Sequence, residues 1–306
     1  MKLLVAIDPS PVSGTVVNEV ASRPWPSGTL ACVLHVIDFA QLPNGPDVTQ
    51  AVQQSADLFV KAEAAKLDNA GLRTTTSVFK GHPRLAIAEY AKEWRADLVV
   101  VGSHGASGLA RFLLGSVAQE TLRRSPCSVE IVRRAAQESA TISTKMKILL
   151  AIDGSESSMV AVRSVAGRPW PSGSQIRLIS VVPLIAPLGE TIPIGPVYYP
   201  PSEVLEELQR EARNRAEEAV ARAHQTLSKA GIRPVKAESM PIGDARAVIL
   251  DEAKSWGADL IVVGSHGYLG IDRLMLGSVS EAVAMHAHCS VEVIREPRLT
   301  ASKESS

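Results

Sequence analysis

Gly102-Ser103-His104-Gly105, then nine residues, then Gly115-Ser116: this stretch returns as Gly264-Ser265-His266-Gly267, nine residues, and Gly277-Ser278. Each copy follows a short apolar run, Asp97 to Val101 and Asp259 to Val263, and each leads into a segment with helical character. The run reads as a strand buried on both faces of a parallel sheet. A glycine turn between a strand end and a helix start suits an anion, because bare backbone N–H groups and the positive helix terminus converge there. A single glycine pair beside a strand is more often only a turn. Here the whole spacing occurs twice.

Working outward, the rest of the chain is duplicated too. Met1 to Asp8 (MKLLVAID) returns as Met146 to Asp153 (MKILLAID), and Arg23-Pro24-Trp25-Pro26-Ser27-Gly28 returns as Arg168-Pro169-Trp170-Pro171-Ser172-Gly173. These are 145 residues apart (8 to 153), whereas the glycine loops are 162 apart (102 to 264). The second copy is therefore longer in its middle, and the excess falls around the Pro- and Gly-rich stretch 183–201. A period of this size is a domain duplication and not a solenoid. The division reads as a first domain over 1–134, a polar linker over 135–145, a second domain over 146–296 and a disordered tail over 297–306.

Each copy alternates strand and helix. Strands are predicted at Leu3–Ile7, Leu30–Ile37, Thr74–Phe79, the run before the glycine loop, and Ser128–Val132; in the second copy they include Ile176–Val182, Val235–Met240 and Ser290–Ile294. Helices are predicted near 13–21, 83–94, 155–166 and 245–256. A long amphipathic one carries Val204, Leu205, Leu208, Ala212, Ala216, Val220, Ala223 and Leu227 at three- and four-residue steps. Gly71 and Gly231 stand where C-cap glycines belong. This order predicts an α/β fold: two tandem, doubly wound, Rossmann-like domains, each with a five-stranded parallel sheet. Ligands then bind outside the carboxyl ends of the strands where the winding reverses, which brings Asp8 towards Gly102 and Asp153 towards Gly264.

Composition excludes several functions. The chain has 32 basic and 32 acidic residues, so no electrostatic argument favours nucleic acid or an anionic membrane. Aromatics are only 4%, too few for a base-stacking platform. No apolar run approaches a membrane span, and Asp8 comes too early for a signal-peptide core. Three scattered cysteines (Cys32, Cys127 and Cys289) suggest neither a disulfide framework nor a CxxC zinc site. They fit a reducing, cytoplasmic setting. No metal-ligand cluster and no Gly-x-x-x-x-Gly-Lys-Ser/Thr loop is present.

The residues that can act are few. Asp8 and Asp153, ending the first strands, can accept from ribose hydroxyls. Ser116 and Ser278 can offer a hydroxyl and an N–H at a helix start. Arg111 and Arg273, at matching places in the nine-residue loops, can supply charge or simply be solvated. His104 and His266 read as residues that orient the turn, since no third group for a catalytic triad is visible. Cys127 and Cys289 read as small buried residues.

With these residues in place, the chain resembles the universal stress protein family across nearly its whole length, as two tandem domains. The carriers are Gly-x2-Gly-x9-Gly-Ser after an apolar strand and an Asp closing the first strand. The resemblance implies ATP, with Mg²⁺ on its phosphates, as ligand. It places Asp8 and Asp153 by ribose and adenine, and Val36 and Val181 along the adenine. It puts Gly102, Gly105, Gly115, Ser116, Gly264, Gly267, Gly277 and Ser278 at the phosphates. Ser103, His104, Val117, Ser265, His266 and Val279 become neighbouring contacts. It implies a nucleotide-dependent stress-response regulator, with slow ATP hydrolysis, nucleotide transfer or a nucleotide-free interaction scaffold as alternatives. It also implies pairing of the two domains through 128–132 and 290–294, and association into a homodimer. The copies differ: Pro9-Ser10-Pro11 replaces Gly154-Ser155-Glu156, and Ala118 replaces Ser280. The extra Ser280 hydroxyl leads to the expectation that both sites bind, the second more tightly.

Overall fold

The computed structural model describes residues 1–38, 45–105, 114–133, 145–185, 201–235, 240–267 and 276–296. Arg111, Arg273, the linker at 135–144, most of the 183–201 stretch and the tail fall outside them. The first copy runs β1 (Lys2–Ile7), α1 (Pro11–Ser22), β2 (Leu30–Ile37), α2 (Pro46–Asn69), β3 (Arg73–Lys80), α3 (Pro83–Trp94), β4 (Leu98–Gly102), α4 (Ser116–Arg124) and β5 (Ser128–Val132). The second runs β6 (Lys147–Ala151), α5 (Glu156–Ala166), β7 (Gln175–Ile179), α6 (Ser202–Lys229), α7 (Ala245–Trp256), β8 (Leu260–Gly264), α8 (Ser278–His286) and β9 (Ser290–Ile294).

The strands form one sheet in the order β3-β2-β1-β4-β5-β9-β8-β6-β7. Pairing is parallel inside each copy, and the order reverses between β1 and β4 and between β6 and β8. That reversal opens the crevice in which doubly wound sheets hold ligands. The third strand predicted for the second copy is partly visible. Val235 and Ile242 make isolated parallel bridges to Arg177 and Val182, and 236–239 lie outside the described residues.

The two copies meet at β5 and β9, which pair antiparallel with Glu130 opposite Glu292. Each strand thereby covers the other's open edge, where unpaired N–H and C=O groups would otherwise face solvent. One face of the sheet carries a single core through both copies: Ile87, Ala91 and Leu122 from the first join Ile249, Ala253 and Val283 from the second over Val129, Ile131, Val291 and Val293. The other face keeps two separate cores. Val16 and Val17 of α1 join Leu67 of α2 in one, and Val162 of α5 joins Ala223 and Leu227 of α6 in the other.

Local chemistry explains the ends. Pro11 starts α1 two residues before the sequence pattern did, because a proline at the first helical position has no N–H to leave unpaired. Gly71 and Gly231 adopt φ +86 and +77 just past α2 and α6, a conformation that strains other residues. The predicted stripe on α6 is only partly realised. Ala212, Ala216, Ala223 and Leu227 are buried, but Val204 and Leu208 remain 45% and 41% exposed.

Ser155 caps α5 by accepting the Ser158 N–H at 3.2 Å, whereas Ser10 makes no such bond to α1. Ser155→Ala is therefore expected to lower unfolding stability by about 1 kcal/mol in a denaturant titration. An unchanged midpoint and slope would show that the cap contributes nothing.

Candidate functional site

In the first copy the crevice is a cavity of about 210 Å³ at the carboxyl ends of β1 and β4. Asp8, Val36, Gly102, Ser103, His104, Gly105, Gly115, Ser116 and Val117 all line it. One wall is apolar, from Ala6, Leu34, Val36, Pro83 and Ile87. Asp8, the Ser103–Gly105 turn and the start of α4 form a polar rim. Ser116 is exposed at that rim as the first residue of α4, behind Gly115, which has no side chain to cap the helix. Helix geometry leaves the amides of the first turn without intrahelical acceptors, so they point out of the helix start.

The glycine turn is fixed by the protein's own bonds. Ser103 donates its N–H to the Val132 carbonyl at 2.9 Å, tying the turn to the end of β5, and Gly115 donates to the Ser103 carbonyl at 2.7 Å. The second copy repeats the latter as Gly277 to Ser265 at 2.7 Å. Ser103 and Ser265 are buried, and each Oγ lies 2.9 or 2.8 Å from Nδ1 of the following His104 or His266.

The glycines make room chiefly for the chain itself. A Cβ at Gly105 would stand 2.7 Å from Asp8 Oδ2, and one at Gly267 would stand 2.6 Å from Asp153 Oδ2. At Gly115 it would lie 3.1 Å from the Ser103 carbonyl, and at Gly277 3.0 Å from His266 Cα. At Gly102 it would strike the Val12 side chain at 2.7 Å. The motif thus lets the aspartate, the turn and the helix start approach one another.

Asp8 is held more fully than Asp153. Its Oδ1 accepts from the Ser10 N–H at 3.2 Å, from Ser13 Oγ at 3.0 Å and from the Ser10 hydroxyl. Asp153 Oδ1 accepts the Ser155 N–H at 2.9 Å. Here the Ser155 hydroxyl serves the helix, and Ser157 Oγ accepts from the His266 N–H at 3.3 Å. Arg222 on α6 donates to the Gly154 carbonyl at 3.0 Å, bracing the turn after Asp153.

The second-copy residues occupy matching places: Gly264 ends β8, Ser278 opens α8 and is exposed, and Val181 and Val279 are partly buried against the common core. Ser280 does not supply the expected extra hydroxyl. It is buried, and its proton goes to the Gly264 carbonyl at 2.6 Å, clasping α8 to the end of β8. A hydroxyl has one proton to give, so the ranking of the two sites by Ser280 loses its basis.

Among the described residues, no group of three or more His, Cys, Asp or Glu could hold a metal ion, and no helix is long and apolar enough to cross a membrane. Burial pushes the Cys127 thiol up to about 11 and Cys289 up to about 12, so neither is a ready nucleophile at neutral pH.

Sequence reasoning did not single out one constellation. Arg23 and Arg168, from the repeated Arg-Pro-Trp-Pro turns, reach into the sheet and grip Glu130 and Glu292 at the seam between copies. The signal was partial: each closing strand, SVEIV and SVEVI, sets one carboxylate among valine and isoleucine, which calls for a cation without saying which.

The comparisons agree with this architecture. The model of the universal stress protein family matches residues 1–133 and again 145–295. A universal stress protein of Mycolicibacterium smegmatis is 28% identical over 304 residues, 96% of each chain. The universal stress protein YxiE of Bacillus subtilis is 30% identical over 150 residues, 49% of this chain and 98% of that one. The crystal structure of a universal stress protein from Archaeoglobus fulgidus has the same fold, with a TM-score of 0.63 at 20% identity over 97% of each chain. This chain belongs to the universal stress protein family, with the family's domain present twice.

Proposed function

We propose that the chain is an ATP-binding, nucleotide-dependent regulator of the stress response, acting in the cytoplasm. The observation that carries this reading is the first-copy cavity, lined by all nine residues that the sequence nominated there. Its apolar wall suits an adenine base. The Asp8 carboxylate suits a ribose hydroxyl, and the α4 start with Ser116 suits phosphate oxygens. Asp153, the Ser265–Gly267 turn and Ser278 would serve the second site in the same way. The donor set fits the nucleotide's phosphates, and the described residues offer no carboxylate cluster for Mg²⁺, which would be carried by phosphates and water. His104 and His266 bond to the neighbouring serines, an arrangement that favours holding a nucleotide over turning it over. The same chemistry gives each chain two sites, and a homodimer would carry four.

The test is direct. Protein purified without added nucleotide and then denatured is expected to release ATP, identified on an ion-exchange column, at one or two molecules per chain. Asp8→Ala is expected to weaken the first site by about tenfold or more in calorimetry, because a charged hydrogen-bond acceptor is lost. A protein that releases no nucleotide and takes up none when ATP is added has no nucleotide function.

A further inference from the structure

The helices that open at the two candidate sites end against arginines of the opposite copy. Arg133 follows β5 of the first copy. Its guanidinium donates to the Ala284 carbonyl and, at 3.4 Å, to the Met285 carbonyl, both in the last turn of α8. It also reaches the Cys289 carbonyl at 3.5 Å. Arg295 follows β9 of the second copy. It donates to the Leu122 carbonyl at 2.8 Å and the Arg123 carbonyl at 3.4 Å, in the last turn of α4. The backbone is crossed in the same sense: Arg133 N–H meets Ser290 Oγ at 3.2 Å, and Arg295 N–H meets Ser128 Oγ at 3.1 Å.

These contacts satisfy carbonyls that have no intrahelical donor and place a cation at the negative helix end. Burial pushes the Arg133 guanidinium down to about 10, which still leaves it charged at neutral pH. Each helix has only nine residues. An anchor at its C-terminus therefore sits roughly 13 Å from the amides at its start, with rigid backbone between. The helices also touch sideways: Arg123 pairs with Glu281 at 2.6 Å, and Gln119 Nε2 lies 3.7 Å from Met285 Sδ. At the other end, the Ser103 turn of the first site hangs on Val132, the residue before Arg133.

We infer that Arg133 and Arg295 are reciprocal positioning residues: each fixes the loop-facing helix of the other copy, so each nucleotide site depends on an arginine from the opposite half of the chain. The inference rests on the nucleotide reading above for its ligand, and on the crossed contacts for its geometry. It follows that the seam between β5 and β9 is part of both sites, and that disturbing it at one arginine is felt at the far site.

The experiment uses full-length chain. Asp153→Ala weakens the second site so that the first dominates the ATP titration, and Asp8→Ala does the reverse. Arg133→Met is expected to weaken ATP at the second site by about three- to tenfold while the first stays within about twofold, and Arg295→Met the reverse. Arg133→Lys, which keeps a cation able to reach the last-turn carbonyls, is expected to restore part of the affinity. Weakening of the arginine's own-copy site, or equal weakening of both, overturns the inference. Deuterium uptake without nucleotide gives a second reading. Arg133→Met is expected to raise uptake in α8 and not in α4, and uptake that rises in α4 or equally in both overturns the inference as well. If the wild-type chain takes no ATP, the nucleotide reading fails by itself, and the crossed or uncrossed uptake pattern alone decides the arginines' role.

Discussion

Arg23→Met is expected to cost about 3–5 kcal/mol of stability, the loss typical when one member of a buried ion pair is removed and the other stays behind. The Arg23 and Glu130 side chains are 4% and 1% exposed. The pair is bidentate, with Arg23 Nη1 to Glu130 Oε2 at 3.0 Å and Nη2 to Oε1. Arg23 also grips Glu19 through Nε at 3.1 Å. Burial alone would weaken the proton's hold on Arg23, but the carboxylates of Glu130 and Glu19 more than offset it and leave its pKa raised. Glu130 is pulled up by burial and by the Glu292 charge, against the pull of Arg23. Without Arg23 it keeps burial and the Glu292 and Glu19 charges, which all raise it, and loses the charge and hydrogen bond that lower it.

The sign with pH follows. A carboxyl whose folded pKa is raised above its ordinary 4.5 stabilises the fold below that value and loses the contribution as pH rises through the folded pKa. Arg23→Met is therefore expected to be less stable at pH 8 than at pH 5, relative to wild type at the same pH. Arg168 holds Glu292 at 2.9 and 2.7 Å directly across the seam, so the effect extends to the junction of the two copies. Adding Glu130→Leu to Arg23→Met is expected to recover most of the loss, since a packed apolar replacement of a whole buried pair is often neutral. Urea titrations at the two pH values check all three. A single mutant within about 1 kcal/mol of wild type, with no pH trend, would show that the pair is dispensable.

Where the sequence was legible, the signal was local. The runs read at Asp97–Val101 and Asp259–Val263 could be taken as buried strands because all but their first residue is apolar, and the strands observed are Leu98–Gly102 and Leu260–Gly264. The loops after them could be read because glycine, serine and histidine recur at fixed spacing. The first cavity gathers all nine nominated residues because a parallel sheet places the ends of β1 and β4 side by side once the order of winding is known. What escaped depends on partners far along the chain. Arg23 and Glu130 are separated by 107 positions, and Arg133 and Ala284 by 151. Nothing in either neighbourhood names the partner. The direction of Ser280 escaped for another reason: its position on α8 is regular, but whether its proton goes to a ligand or to Gly264 is settled by how closely α8 approaches β8. The exposed Val204 and Leu208 show the limit of periodicity.

Equivalent glycines in the two copies are expected to respond differently to the same substitution, with Gly264→Ala costing about 1–3 kcal/mol and Gly102→Ala less than about 1 kcal/mol. A pattern reading treats them as one position. The surroundings do not. At Gly264 the added carbon would lie 2.8 Å from the Ser157 carbonyl carbon, 2.9 Å from its oxygen and 2.8 Å from its Oγ. Two of those atoms are backbone in the first turn of α5, so relief requires the helix to move off the sheet. At Gly102 the nearest atom is Val12 Cγ1 at 2.7 Å, a side-chain methyl rather than backbone, and the next is the His104 carbonyl at 3.3 Å. A displaced α5 would also draw Ser157 Oγ away from the His266 N–H, and with it the turn that faces Asp153. Under the proposed nucleotide reading, Gly264→Ala is therefore expected to weaken ATP at the second site as well as lower stability, while Gly102→Ala leaves the first site nearly intact. Denaturant titration and calorimetry on the two variants test this together. Equal losses at both positions would show that the unequal packing of α1 and α5 is without consequence.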